Sequence, residues 1–517
     1  MAKLKTQIDE QQEYYEKRID EIQAKAELLE QENKVLRHRL FGRKSEKLTE
    51  DDYKQMVLFD EAECAADEDQ GERGQEDITV AGHTRKKPGR KPLSEKLPRV
   101  EIVHDIAEEE KQCACGAALQ RIGAEVCEKL KIIPAKIYVE KHIRPKYACK
   151  ECEGLANDGE AAVKIAPVPP QIIPRSIVTE TLLAFILVSK FNDALPFYRQ
   201  ERMFGRIGAE ISRADMANWA IKAAASCGEL IELMEQEIRE GPVVRIDETR
   251  IQVMKEYQRE DTSLSYMWVF RGGPPRKPVI LYKYHPTRSG EVVLSYLKGY
   301  EGFIQTDGYK GYAEVGSLPG IVHVGCWAHV RRKFDEASKA VKKAGSAREA
   351  LSKISRLYAV ERELRELNLA DAEFTQKRKQ AVEPILAAFK TWLDKRSTQV
   401  APSTLLGKAL RYTQGEWPKL INYILSPHLT PDNNLIENAI RPFVVGRKNW
   451  LFSGSPKGAH ASAALYSIIQ TAKANGFEPF KYLSYIFSQI PLCQNKEDFK
   501  ALLPQHLDAN DYKSFSF

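Results

Sequence analysis

The sequence predicts a multidomain, mostly α-helical protein built around one α/β core, and three observations carry that expectation. Apolar residues recur every seven positions near the N-terminus, four cysteines stand in two close pairs around 113 and 149, and from 243 the apolar period changes from helical to strand-like. A chain of 517 residues is also too long for a single core. No apolar run reaches membrane-spanning length, and the N-terminus is charged from its third residue, so neither a membrane span nor a secretory leader is expected. Nine cysteines, an odd number spread along the chain, argue against a disulfide framework and for a reducing compartment.

Residues 1–47 read as a coiled coil with a basic end. Met1, Ile8, Tyr15, Ile22, Leu29 and Leu36 form one seam, joined four residues on by Ile19, Ala26, Asn33 and Leu40. Asn33 in that seam favours a register-specific dimer, so self-association is expected; a lone amphipathic helix on its own chain is the alternative. Residues 48–100 form a charged flexible linker. Its acidic part, 60–77, carries nine acids and one base, and its basic part, 85–99, carries seven bases and one acid. Within the basic part "RKKPGRKP", with Arg90 and Lys91, resembles hooks that lie in narrow A·T minor grooves, although a plain basic tether has the same composition.

Residues 101–160 hold "CACG" and "YACKEC". Cys113, Cys115, Cys149 and Cys152 resemble a zinc ribbon, in which thiolates close a tetrahedral Zn²⁺ site. The one-residue gap between Cys113 and Cys115 strains the turn, which leaves Cys127 as a substitute ligand and a zinc-free remnant as the alternative. Residues 166–240 read as a helical DNA-binding region. A helix, a Gly-containing turn and a second helix from about Ser212 would form either a helix-turn-helix on DNA or an ordinary packed pair.

Residues 241–333 form the first part of the core. "VVRIDETRIQVM", "LSYMWVFRG" and "KPVILYKY" read as strands, then "SGEVVLSYLKG" as a helix, then "GFIQTD" and "IVHVGC" as strands. That order resembles a ribonuclease H-like mixed sheet, in which the first and fourth strands are neighbours. Asp247 and Asp307 would then face one side, with Glu248 alternating to the other. Buried neighbouring carboxylates are costly unless a cation neutralises them. Mg²⁺ takes a few carboxylate oxygens plus water and substrate phosphate. Two such ions can clamp an in-line phosphoryl displacement.

A third acid is expected on a later helix, and Glu437 fits. It borders the apolar stripe Ile436, Ala439, Ile440 and Phe443, whereas Asp432 points elsewhere by roughly 140°. Pro442 is expected to kink or end that helix. The alternative role, an exposed Glu437–Arg441 ion pair, would contribute only about 0.3–0.5 kcal/mol.

The motifs "ENKVLRHRLFGRKSEK", "RPKYACKEC", "ILVSKFNDALPFYRQE", "RIDET", "TDGYKGY", "CWAHVRRKF" and "NLIENAIRPFVVGRKNWLFSGS" occur in this order along essentially the whole chain. In them the sequence resembles the transposases of the insertion sequence 66 family. The resemblance implies a DDE transposase with catalytic acids at Asp247, Asp307 and Glu437, using two Mg²⁺ (or Mn²⁺) ions. It implies a helical insertion over 334–430, a glutamate-helix part of the core over 431–475 and a C-terminal helical tail over 476–517. Cys326 and His329 of "CWAHVRRKF" match a Cys-x-x-His element of several DDE families and are read as structural near the site. Arg331, Arg332, Arg447, Lys448 and Lys457 are read as phosphate contacts. Trp450 would either stack on a frayed base or belong to the core. The expected partners are terminal inverted repeats, target DNA, a second copy of the chain and small accessory proteins of the same element, in a bacterial cytoplasm at the nucleoid. The rivals are a ribonuclease H-like nuclease or resolvase without strand transfer, and an inactive DNA-binding relic.

Overall fold

The computed structural model describes residues 137–148, 163–340 and 345–508, with isolated positions between 18 and 33 and at Tyr512 and Phe515. The paired cysteines Cys113, Cys115, Cys149 and Cys152, the basic Arg90 and Lys91, and most of the expected coiled coil lie outside those residues. The chain divides into two compact units, 53–143 and the rest. Of the first only 137–143 is described, exposed and without regular structure.

In the second unit a small antiparallel pair, β1 (Lys146–Ala148) and β2 (Val163–Ile165), precedes four helices. These are α1 (Glu180–Phe191), α2 (Phe197–Arg206), α3 (Arg213–Ser226) and α4 (Gly228–Glu240). The Thr179 hydroxyl accepts from Leu182 N–H and caps α1, and Ser212 accepts from Asp215 N–H and caps α3 where the sequence placed its start. α3 buries Met216, Trp219, Ala220 and Ala223.

The sheet follows: β3 (Val243–Val253), β4 (Leu264–Gly272), β5 (Val279–His285), helix α5 (Gly290–Tyr296), β6 (Gly302–Gln305) and β7 (Ile321–Val324). Its order is β5-β4-β3-β6-β7, with β3, β4 and β5 antiparallel and β3, β6 and β7 parallel. A two-residue strand, β8 (Phe452–Ser453), pairs with the C-terminal end of β3. β3 is therefore the central strand, and its first residues are buried because both neighbours and both faces are covered.

Between β7 and the last helices lie α6 (Trp327–Ala340), α7 (Gly345–Glu366), α8 (Asp371–Ser397) and α9 (Leu405–Leu420). They enclose a second core in which the Trp327 ring meets Phe389 and Trp417 edge-on, at 5.4 and 5.9 Å between centroids. The chain returns through α10 (Asn434–Trp450), then α11 (Pro456–Ala474), α12 (Pro479–Gln489) and α13 (Lys496–Leu502).

Edge strand β5 is closed by α11 rather than by another strand. Ser467 Oγ accepts from Tyr282 N–H at 2.8 Å, Thr471 Oγ1 accepts from Ile280 N–H at 2.9 Å, and Asn475 Nδ2 donates to Pro278 O at 2.8 Å. Four helical residues rise about 6 Å and two strand residues about 6.8 Å, so polar residues spaced by four match alternate strand positions. A sheet edge that would otherwise invite pairing is thereby satisfied by side chains.

The helix carrying Glu437 corrects the expectation that it would end at Pro442. It neither ends nor breaks at Pro442 but runs on to Trp450. Ile436, Ala439, Ile440, Phe443 and Gly446 are buried along it, and the Tyr282 hydroxyl donates to the Ala439 carbonyl in the turn that proline weakens. Burial on both sides of Pro442 outweighs the one lost backbone bond. Among the described residues, no helix is long and apolar enough to cross a membrane.

Candidate active site

β3 and β6 are neighbours because Val243, Val244 and Arg245 pair in parallel with Phe303, Ile304 and Gln305. Asp247 lies two residues beyond Arg245 on β3, and Asp307 two residues beyond Gln305, just past the end of β6. With a side-chain period of two, all four residues belong to one face. Glu437 sits in the first turn of α10, buried at 7% exposure, and α10 packs on β3 and β4. The three predicted acids thus come into one neighbourhood from two strands and a helix.

Their electrostatics agree. Burial pushes the Asp247 carboxyl well above the usual carboxylate range, and Glu248, Asp307 and Glu437 add repulsion against one hydrogen bond from Glu248 N–H. Burial likewise raises Glu437; Arg332 and Arg441 oppose the shift while Asp432 and Asp307 reinforce it. Glu437 Oε1 is buried without a hydrogen-bond partner among the described residues. No ion pair joins Glu437 to Arg441 among them either, so the surface-pair role is not the one the fold adopts.

Glu248, which repels both Asp247 and Asp307, has partners of its own. It accepts from Arg288 Nε at 2.6 Å and from the Tyr312 hydroxyl. Gly308, next to Asp307, leaves room for Tyr412 of α9: a Cβ there would meet its hydroxyl at 2.5 Å. Asp307 Oδ1 accepts from Tyr309 N–H at 3.0 Å, which orients the carboxylate in its turn.

The segment leading into α10 is fastened by side chains that motif reading missed. Arg245 Nη2 donates to His428 O at 2.8 Å and its Nε donates to Gln305 Oε1 at 3.0 Å, while Gln305 Nε2 donates to Thr430 O at 2.7 Å. From the other side Arg378 donates to the carbonyls of Tyr423, Ser426 and Leu429, and Arg365 to those of Pro427 and Leu429. Carbonyls outside regular structure need such donors when buried. A sequence signal existed: "RID" and "QTD" put a polar residue two positions before each aspartate, on the same strand face.

Cys326 and His329 also reach this place. Cys326 Sγ accepts from Asn433 N–H at 3.3 Å, and His329 Nδ1 lies 3.9 Å from Glu437 Oε1. Burial lowers the His329 pKa, Arg332 and Lys333 lower it further, and Asp307 opposes them. Among the described residues, Cys326, His329 and Glu437 are the group of such side chains whose ligand atoms all fall within 4.8 Å of one another. The three acids do not form so tight a group.

The expected DNA contacts differ among themselves. Arg332, Lys448 and Lys457 are exposed, and Arg331 is half-buried. Arg447 is half-buried and donates to Thr249 Oγ1 at 3.1 Å, two residues from Asp247 on β3. Trp450 is half-buried, its ring edge-on to Phe443 at 5.4 Å, as in its core alternative.

The family described as "Transposase IS66 family" matches residues 175–461, a span holding the sheet, the helical insertion and all three acids. Three further descriptions match around it: "Transposase C of IS166 homeodomain" at 28–102, "zinc-finger binding domain of transposase IS66" at 110–153 and "IS66 C-terminal element" at 467–505. Among curated proteins the chain is similar to the uncharacterised protein y4qI of Sinorhizobium fredii (strain NBRC 101917 / NGR234), 31% identical over 491 residues, covering 91% of this chain and 87% of that one. A second uncharacterised protein of the same strain, y4jD, is 30% identical over 414 residues, 77% of this chain and 78% of its own. With its central 287 residues and both flanking regions matched in order, the chain belongs to the IS66 family of transposases.

Proposed function

We propose that this chain is a DDE transposase with a ribonuclease H-like core, which cuts the 3′ ends of its element and joins them to target DNA through Asp247, Asp307 and Glu437. The observation that carries the proposal is the convergence of three acids from β3, the end of β6 and α10, with Asp247 raised by burial, Asp307 and Glu437, and Glu437 raised by burial and Asp307. The sheet order β5-β4-β3-β6-β7, three antiparallel strands followed by two parallel, supports the fold assignment. Carboxylate oxygens are the hard donors that Mg²⁺ or Mn²⁺ prefers, and the orphaned Glu437 Oε1 suits a cation better than solvent-free isolation. When bound there, two such ions supply Lewis-acid activation of water and charge neutralisation at phosphate.

The chain's own part is positional. Asp247 is carried on β3, Asp307 is oriented in the turn after β6 by Tyr309 N–H, and the arginine-held segment 423–430 sets the entry of α10 and hence Glu437. Arg332, beside Glu437 and exposed, is suited to receive a backbone phosphate, with Arg331, Arg447, Lys448 and Lys457 extending the basic surface. Water displaces the 3′ oxygen at the scissile phosphorus, and the freed 3′-OH then displaces an oxygen at a target phosphorus, with no covalent protein–DNA intermediate. The assay is Mg²⁺-dependent nicking of a labelled duplex carrying the element's terminal repeat. Site-specific 3′ ends are expected, and a chain that binds the repeat but never nicks it would overturn the proposal.

Two further assignments accompany it. Cys113, Cys115, Cys149 and Cys152 hold one structural Zn²⁺, a reading supported by the zinc-finger match over 110–153. Cys149→Ser should release one zinc per chain on metal analysis; unchanged zinc would reject the ligand set. The N-terminal seam joins two copies, supported by Ile19, Ile22 and Leu29, which are helical and 52%, 58% and 51% exposed. Deleting residues 1–40 should lower the mass measured by light scattering, and an equal mass per particle for both chains would place the seam within one copy. Arg90 and Lys91 contribute to DNA affinity. The small proteins of the same element are its accessory partners, and the work takes place in the cytoplasm at the nucleoid.

A further inference from the structure

We infer that Cys326, His329 and Glu437 form a binding site for a thiophilic divalent cation of the Zn²⁺ class, separate in chemistry from the acid triad but sharing Glu437 with it. Cys326 immediately precedes α6 and His329 lies in its first turn, three residues on, so one helix start presents both side chains together. α10 brings Glu437 against them, and the three ligand atoms lie within 4.8 Å of one another.

Two of those atoms are left unsatisfied by the described protein groups. His329 Nδ1 and Glu437 Oε1 are both buried and have no hydrogen-bond partner among the described residues, although they face each other at 3.9 Å. An unpaired buried polar atom is destabilising, so two at one point ask for a ligand. Cys326 is 4% exposed, and its sulfur is oriented by the Asn433 N–H.

The donor set selects the metal. Thiolate and imidazole suit Zn²⁺ and its borderline neighbours, whereas Mg²⁺ takes oxygen ligands. Bonds of about 2.0–2.3 Å in a tetrahedron set ligands roughly 3.4–3.6 Å apart. Closing from the observed spacing to that one is a matter of about 0.5–1.2 Å, within side-chain adjustment. Binding takes Cys326 as thiolate, its proton leaving to solvent, so that two negative charges meet the cation and three protein ligands leave a fourth position for water.

Glu437 cannot serve both metals at once. Zinc at this site withdraws the third acid from Asp247 and Asp307 and so switches cleavage off. That consequence rests on the proposed triad; the site itself does not.

The test uses the full chain, stripped of loosely held metal and titrated with Co²⁺ alone as a spectroscopic probe. Because the cysteines of residues 110–153 also give thiolate-to-cobalt absorption, the reading is the difference between wild type and Cys326→Ser. One equivalent of difference absorption is expected, lost equally in His329→Gln and Glu437→Gln and retained in Asp247→Asn. Identical spectra for wild type and Cys326→Ser would overturn the site. If the serine variant fails to fold, His329→Gln, at a partly exposed position, replaces it in the same comparison. In nicking assays at millimolar Mg²⁺, Zn²⁺ at ten times its dissociation constant should slow the wild type about tenfold. Cys326→Ser, compared with its own zinc-free rate, should change less than about twofold. Equal inhibition of both would reject the switch. A chain that shows the cobalt difference but nicks no DNA would refute the triad and leave the site standing.

Discussion

Glu437→Gln should lose cleavage and strand transfer together, by about a thousandfold or more, while binding the element's ends as tightly as the wild type. The glutamine keeps the shape of a buried side chain at 7% exposure but cannot hold a cation. End binding rests on exposed basic residues and on other parts of the chain, so it should survive. Asp247→Asn and Asp307→Asn should show the same pattern, and pairs of these changes should not multiply, because acids that act as one unit lose their function once. Substantial nicking by the glutamine variant would remove Glu437 from the chemistry.

Stability should move the other way. Burial and neighbouring acids hold the Glu437 carboxyl above its usual range. A raised carboxyl pKa means stability that is full at pH below the unfolded value and is lost as pH rises through the folded one. Metal-free wild type therefore carries this penalty at neutral pH, and the glutamine variant does not. The variant should melt no lower than wild type without metal, and Mg²⁺ should raise its melting temperature less. A large drop in melting temperature would instead make Glu437 a structural residue.

Arg378→Met should destabilise the helical insertion by about 3–5 kcal/mol, the usual cost of removing one partner from a buried pair. Arg378 is fully buried, pairs with Glu361 at 2.8 Å and donates to three carbonyls between Tyr423 and Leu429. Its loss leaves the Glu361 carboxylate with Arg365 as its one remaining cation among the described residues, at 2.9 Å, and removes the donor to the Tyr423 and Ser426 carbonyls. Hydrogen exchange should show lost protection in 421–433, and nicking should fall as well, because that segment leads into α10. Adding Glu361→Leu should recover part of the stability, since an apolar pair leaves no buried charge. Unchanged protection in the single variant would mean that the remaining donors, Arg245, Arg365 and Gln305, hold the segment without it.

Much of this molecule is legible in its sequence. The strands around Asp247 and Asp307 announce themselves by alternation, and the intervening helix by its apolar spacing, because local periodicity reports which faces will be buried. Glu437 is legible as one acid on an apolar stripe. What local pattern cannot contain is the pairing of distant segments. That Arg245 and Gln305 fasten His428 and Thr430 depends on β3 lying beside β6 and on a loop more than a hundred residues later crossing them. Pro442 misleads for a related reason. Propensity counts the one lost backbone bond, whereas the fold buries Ile440 and Phe443 on either side of it and sets Tyr282 against the weakened turn. Likewise, Cys326 and His329 are visible as a motif, but their approach to Glu437 is not. Sequence alone determined which residues carry charge, thiol and imidazole, and on which element each rides. The tertiary structure alone decided which of them share a few ångströms, because burial and unpaired polar atoms arise only when elements far apart in the chain close on one another.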